Sequence, residues 1–321
     1  ASSDVALAPV MDRLVLGGLG SLTSFLYHLS WVAVPVLMGK PTMFFASDFR
    51  LGRGILSSVL KPLAMLILRK MDMLTVRDRD SLKNLLELGI TPLKMRLTAD
   101  IGLLLKAAGT DEAARVLKNE GIPLDRRPLV GLSLHPLIRI PAKRGWHDVA
   151  DVLAQVIDFL VEEHDATVVF IPRVSVLDES DIALAKMTRD RVRHKNHFFM
   201  LTKRYPPELT KAMIGLLDML ITLPFHALIH AISMCVPAVA IDYGGKTTEL
   251  MRQLGLAELA IPARKLTLDV LREKAQLVLS SSETIREKLA HELPKLKDKA
   301  FKNVVVLEKL IRNRVLGAYP T

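Results

Sequence analysis

Residues 219–246 read MLITLPFHALIHAISMCVPAVAIDYGGK, and the parse of this stretch decides the fold. It carries no charged residue from Met219 to Ile241, a run longer than the ~20 residues that cross a bilayer. Pro224 and Pro237 disfavour one uninterrupted helix, and His226 and His230 are poorly placed at membrane depth. The better parse is a buried strand at Met219–Thr222, a turn at Pro224, a helix through His226 and His230, and a second strand at 238–241. Strands of a parallel sheet are covered on both faces, so they appear as unbroken apolar runs. The other uncharged run, Leu14 to Gly39, breaks in the same way, because Gly17, Gly18 and Gly20 follow its first apolar residues. Neither run is taken as a membrane span.

The same rhythm extends in both directions. Strand-like runs at 13–16, 41–46, 73–76 and 94–97 alternate with helix-like runs at 24–37, 55–71 and 80–88, the last ended by Gly89. A break at 121–128, GIPLDRRP, holds two prolines, a glycine and three charges. After it, strand-like runs recur at 129–134, 167–171, 198–201, 219–222 and 238–241, separated by helix-length sequence. Runs at 267–279, 283–293 and 299–315 are helical. Strand–helix alternation implies parallel sheets with right-handed crossovers. The expected architecture is α/β: two doubly wound, Rossmann-like domains at 1–125 and 126–265, followed by closing helices at 266–321.

A chain of 321 residues, half of them apolar and 24% charged, is neither disordered, collagen-like nor a coiled coil. The single Cys235 excludes an internal disulfide and favours a reducing, cytoplasmic compartment. No signal peptide is visible, and an opening at Ala1 without Met points to a processed or truncated chain. The 44 Lys and Arg against 34 Asp and Glu favour an anionic partner: a phosphate, a carboxylate or an acidic membrane surface at which the protein sits peripherally. The densest basic stretch, 186–204, has seven Lys and Arg against Asp190 alone. It has no interleaved aromatics and no nucleic-acid motif, so a nucleic-acid partner is not expected.

Open α/β sheets bind ligands beyond the carboxyl ends of their strands, where helix N-termini point. That rule selects a few places. Gly18 and Gly20 follow the strand at 13–16 and suit either an anion-binding loop or a tight packing turn. Arg77 and Asp78 close the strand at 73–76; Asp80 is read as the cap of a helix beginning at Ser81. Asp100 closes the strand at 94–97. His226 falls in the first turn of its helix, where an imidazole beside a bound anion suits acid–base work; a capping or packing histidine is the plainer reading. Its i, i+4 partner His230 lacks a third ligand at a convincing spacing, so no metal is expected. Lys246, after the strand at 238–241, can reach a phosphate or carboxylate, or be a solvated loop lysine.

The order of these segments resembles the polysaccharide pyruvyl transferase family. The resemblance runs from about Asp12 to Ile261 through DRLVLGGLGSL, TVRDRDSLKNLLELGI, LTADIGLLL, LVGLSLHP, VVFIP and FHALIHAISMCVPAVAIDYGGKTTELMRQLGL. It implies a fold similar to the two-domain, glycosyltransferase-B-like enzymes. It also implies transfer of the carboxyvinyl part of phosphoenolpyruvate to sugar hydroxyls of a glycan or lipid-linked glycan, with no further cofactor. By this resemblance His226 takes the acid–base role and Lys246 matches the family lysine after the following strand. Three departures are visible. The family's Arg-Leu-His reads Pro224-Phe225-His226, and the strand usually ending in Arg ends in His135. The family's opening strand is missing. Arg139 and Arg173 lie near strand ends, where they are candidates to replace the lost guanidiniums. A nucleotide-sugar glycosyltransferase of the same fold, or a degenerate glycan-binding member, are the alternatives.

Overall fold

The computed structural model describes residues 5–8, 19–49, 55–135, 146–172 and 180–315. Two compact units emerge: Ala1–Leu104 with Lys295–Thr321, and Leu105–Pro294. The strand expected at 13–16, with Gly18, and Arg139 and Arg173 lie outside the described residues.

In the first unit, β1 (Ala6–Ala8), β2 (Thr42–Ser47), β3 (Met73–Val76) and β4 (Met95–Leu97) form one parallel sheet in that order. The crossovers are α1 (Leu19–Leu37), α2 (Ile55–Lys70) and α3 (Arg79–Glu87). Leu29 and Val32 of α1, Ala64, Ile67 and Leu68 of α2 and Leu85 of α3 bury against Phe44 and Leu74 of the sheet. Near its end β2 bulges: its register with β3 slips between Phe44 and Ser47, and Ala46 takes a φ of 51°. A bulge takes backbone groups out of the ladder. Here the fully buried hydroxyl of Thr75 replaces the lost partners, accepting from Ala46 N at 2.8 Å and donating to Phe44 O at 2.9 Å.

The second unit opens with α4 (Thr110–Asn119) and builds a six-stranded parallel sheet. Its strands are β5 (Leu129–Ser133), β6 (Thr167–Phe170), β7 (Phe198–Met200), β8 (Met219–Thr222), β9 (Ala238–Asp242) and β10 (Ala260–Pro262), in spatial order β10-β9-β8-β5-β6-β7. The helices between them are α5 (Trp146–His164), α6 (Ser180–Arg191), α7 (Pro207–Ile214), α8 (Phe225–Ser233) and α9 (Lys246–Gln253), with α10 (Leu268–Ser280) and α11 (Ser282–Val315) following. All of β5, β6, β8 and β9 are buried, which explains the near-unbroken apolar runs in their sequences. Gly131 sits mid-strand in β5 because a Cβ there would collide with Leu217 and Leu220. Among the described residues no helix is long and apolar enough to cross a membrane.

Three differences from the sequence reading have physical causes. β1 and β10, three-residue edge strands, are not expected from the sequence; like β4 and β7 they are short, but no further strand-like run lies beyond them to set them off. The stretch 121–128 lies inside the second unit, because α4 packs on α7 and is tied to it from both ends. Ala108 N donates to Glu208 O, Lys211 Nζ to Leu105 O at 2.6 Å, and Lys203 and Tyr205 both donate to Glu120. Finally, the helices expected at 283–293 and 299–315 are one helix running through Pro294. Its buried side chains, Ile285, Leu289, Leu293, Leu296, Ala300 and Asn303, recur every three or four residues across the proline. That continuous apolar stripe outweighs the loss of one backbone hydrogen bond.

Thr75→Val preserves shape but leaves the Ala46 amide and the Phe44 carbonyl buried without that partner. The substitution should lower unfolding stability by about 2 kcal/mol or more. Urea denaturation measures it, and an unchanged midpoint would mean that the bulge is satisfied otherwise.

Candidate active site

In a parallel sheet every strand points the same way, so the carboxyl ends share one edge. In the second unit the chain runs from β5 outward through β6 and β7, then returns to the other side of β5 to continue through β8, β9 and β10. The topological switch therefore lies between β5 and β8, where open α/β sheets leave a crevice for ligands. The strand ends there are level: Ser133 pairs with Thr222, and Thr222 with Ala240.

Three loops meet above that switch. Pro224 turns the chain out of β8 and occupies the N-cap of α8. Phe225 and His226 then diverge, Phe225 being 7% exposed and His226 exposed. Their rings lie 6.0 Å apart, nearly edge to face. From the β5 side, the His135 ring lies 5.5 Å from that of Tyr243, which comes from the loop after β9. From the β9 side, Lys246 Nζ lies 4.9 Å from the centre of the Phe225 ring, a cation–π contact. Two groups of ring contacts thus lie at the ends of three adjacent strands: His135 with Tyr243, and Phe225 with Lys246 and His226.

The two helix N-termini here differ in a way that matters chemically. At α9 the carboxylate of Asp242 accepts from the amides of Gly244 (2.9 Å), Gly245 (2.8 Å) and Thr248 (3.0 Å), and from the Thr248 hydroxyl. Gly245, at the N-cap, needs its φ of 85° to close this turn. The positive end of α9 is therefore occupied by the protein's own carboxylate. At α8 the N-cap is a proline, whose side chain can accept no hydrogen bond. The dipole of α8 points its positive end there, beside His226 and the Lys246–Phe225 contact.

Among the sequence candidates of the first unit, Gly20 lies in the first turn of α1, whereas Arg77, Asp78 and Asp100 form a buried knot. Arg77 Nη1 meets Asp100 at 2.6 Å and Nη2 meets Asp48 at 3.6 Å, with both ends of each pair under a tenth exposed. Asp78, rather than Asp80, caps the helix, which begins at Arg79: it accepts from Ser81 N at 2.7 Å and from the Ser81 hydroxyl at 2.8 Å. Asp100 also accepts from Gly102 N at 2.8 Å. The Ser81 hydroxyl in turn accepts from Phe49 N, so this motif ties the loops after β2, β3 and β4 together.

His230 is 7% exposed inside α8, and among the described residues no three His, Cys, Asp or Glu side chains are placed to hold a metal ion. A cavity of about 380 Å³ lined by Lys118, Gly121, Ile122, Pro123, Arg126 and Phe199 shares no residue with the loops above the switch. In the segment after β7, the Tyr205 hydroxyl is pushed up to about 12, by burial first and then by its bond to Glu120. The Glu120 carboxyl is held below its usual range by Lys203 and then Tyr205. Sequence reasoning missed Phe225, Tyr243 and Asp242. An Asp at a strand end followed within three residues by Gly-Gly was a readable signal for the last.

A family model described as polysaccharide pyruvyl transferase matches residues 10–245. The chain belongs to the polysaccharide pyruvyl transferase family. The match takes in Arg77, His135 and His226 and stops one residue short of Lys246. Membership places the protein among transferases that modify polysaccharides. No curated protein matches the chain in sequence. Among solved structures it is similar to a glycosyltransferase from Rickettsia africae (TM-score 0.55, 12% identity, 87% of this chain and 79% of that one). It is also similar to the UDP-GlcNAc 2-epimerase of Neisseria meningitidis bound to UDP-GlcNAc (0.60, 12%, 89% and 73%). A third is the Anabaena HepE protein in complex with UDP-glucose (0.59, 13%, 89% and 76%). At such identities the likeness establishes the fold, that of the two-domain glycosyltransferases.

Arg77→Met removes the cation between two buried carboxylates. It should destabilise the family member by about 3–5 kcal/mol, read by thermal or denaturant unfolding. A surface guanidinium used only for ligand binding would show almost no loss.

Proposed function

We propose that this protein transfers the carboxyvinyl carbon skeleton of phosphoenolpyruvate to a pair of sugar hydroxyls on a glycan or lipid-linked glycan. The observation that carries this reading is the exposed His226 at the uncapped start of α8, with Lys246 held beside it on the Phe225 ring. A phosphate or carboxylate at that helix start is stabilised by first-turn amides and by the Lys246 ammonium. His226 then stands next to the bound anion in position to move a proton.

The reaction needs such a group. One sugar hydroxyl adds to C2 of the enol while the methylene carbon takes a proton and becomes methyl, giving a tetrahedral phosphoketal. The second hydroxyl then forms its C2–O bond as the C2–O bond to phosphate breaks; the hydroxyl proton leaves and inorganic phosphate departs. A protonated imidazole supplies the proton to the methylene carbon, and its neutral form accepts one from an attacking hydroxyl. In this reading His135, fixed by Tyr243, lines the β5 side of the donor pocket. Arg139 is assigned to the donor by its place after β5. Gly18 and Gly20 are kept as candidates for an anion-binding turn of the first unit. Arg77, Asp78 and Asp100 position the loops of the first unit.

His226→Ala should lower the rate of transfer by roughly 10²–10⁴ while phosphoenolpyruvate still binds. Lys246→Met should weaken that binding by about tenfold, measured by calorimetric titration. If His226→Ala left transfer untouched, the assignment would be wrong. A second reading, nucleotide-sugar glycosyl transfer, is favoured by Pro224 standing where the family carries arginine and by similar folds bound to UDP-sugars. Saturable binding of a UDP-sugar, with no heat from phosphoenolpyruvate, would select it.

A further inference from the structure

One surface of the first unit is explained neither by its core nor by the proposed chemistry. Leu29 and Val32 turn α1 toward the sheet, while Leu26, Tyr27, Trp31, Val34 and Leu37, with Met38 just beyond the helix, are all exposed. Exposure reaches 53% at Trp31 and 71% at Leu37. At 100° per residue these positions fall within an arc of about 140°, so they form a continuous stripe. Tyr27 and Trp31 meet edge to face at 5.9 Å. The helix packs beside α2, which adds exposed Leu63 and Leu66 and, on the same face, exposed Arg69 and Lys70. Together these side chains make an apolar patch of several hundred Å², larger than a soluble monomer usually leaves to water.

Composition says what would cover it. Residues 19–71 contain six Lys and Arg and a single acid, Asp48, and that acid is buried beside Arg77. Within residues 19–71 the surface is therefore apolar and aromatic with a basic border, while exposed carboxylates, Asp80 and Glu87, lie on α3. Tyr and Trp with one apolar and one polar end favour the headgroup level of a bilayer. Lys and Arg at the border are attracted by anionic lipid. A second copy of the same face would bring its own cations and repel.

We propose that the outer face of α1 and α2 seats this protein on an anionic lipid bilayer, lying in the interface rather than crossing it. Tyr27, Trp31, Val34 and Leu37 enter the headgroup boundary, and Arg69 and Lys70 meet the lipid phosphates. The proposal goes beyond the transfer chemistry, and its test reads lipid binding alone, so its failure would leave the assignment of His226 standing.

The test is co-sedimentation of the whole chain with vesicles of phosphatidylcholine alone and of phosphatidylcholine mixed with phosphatidylglycerol. The mixed vesicles should bind at least roughly tenfold more tightly, and less so as salt rises. The chain has two tryptophans, so in a Trp146→Phe background the emission of Trp31 should shift to the blue on binding and be quenched by brominated acyl chains. Combining Tyr27→Ser, Trp31→Ser and Leu37→Ser changes only exposed side chains; with an unaltered circular dichroism spectrum, it should lose binding. Combining Arg69→Gln and Lys70→Gln should weaken binding to mixed vesicles and flatten its salt dependence. The proposal is overturned if mixed vesicles bring down no protein at low salt, if the triple variant binds equally, or if Trp31 emission does not move. It is equally overturned if sedimentation velocity shows a dimer that the triple variant abolishes, since a second copy would then cover the face.

Discussion

Parallel strands cannot be joined by a tight turn, and most of what this protein can do follows from that constraint. Each strand must be followed by a crossover, here a helix, before the next can pair beside it. Every strand of a sheet then ends on the same edge, and every helix begins near it. In the second unit the return of the chain from β7 to β8 places the break in strand order beside β5. His135, His226 and Lys246, more than a hundred residues apart at the extremes, converge because of it. Their convergence needs no dedicated scaffold.

What distinguishes the strand ends from one another is whether the protein satisfies its own charges there. The ends of β2, β3 and β4 are internally closed: Arg77 lies between Asp48 and Asp100, and Asp78 is taken up by Ser81. The start of α9 is closed too, by Asp242. The start of α8 differs because the Pro224 side chain cannot accept a hydrogen bond, so no side chain caps it from that position. A buried carboxylate cluster and a helix start without a side-chain cap differ in their consequences for stability. Sequence patterns of alternating charge do not tell them apart.

In the proposed reading, with Pro224 and His135 at positions where the resemblance implies arginine, anion binding leans on weaker, more distributed donors. A helix dipole, a lysine held against a ring and a neighbouring imidazole act over a few ångströms and depend on water being excluded. The aromatic contacts of Phe225 and Tyr243 supply part of that exclusion and fix the loops that carry the polar groups. Loss of bidentate guanidinium contacts lowers geometric selectivity more than it lowers charge attraction.

By itself the sequence determined the fold class and eight of the ten strands of the described segments, β2 to β9, and left out β1 and β10. Burial on both faces writes a parallel strand as a plain apolar run, and Pro224, Gly245 and the break of period at each helix start are local signals. His226 and Lys246 were legible as strand-end residues, and the family motifs were legible as words. Only the tertiary structure decided which strand ends adjoin, that Arg77 and Asp78 face each other's neighbours rather than solvent, that α11 runs through Pro294, and that the apolar side of α1 includes a second, uncovered face. These depend on strand order and on which helix surface the sheet covers. Both are set by contacts between residues far apart in the chain, and no local pattern records them.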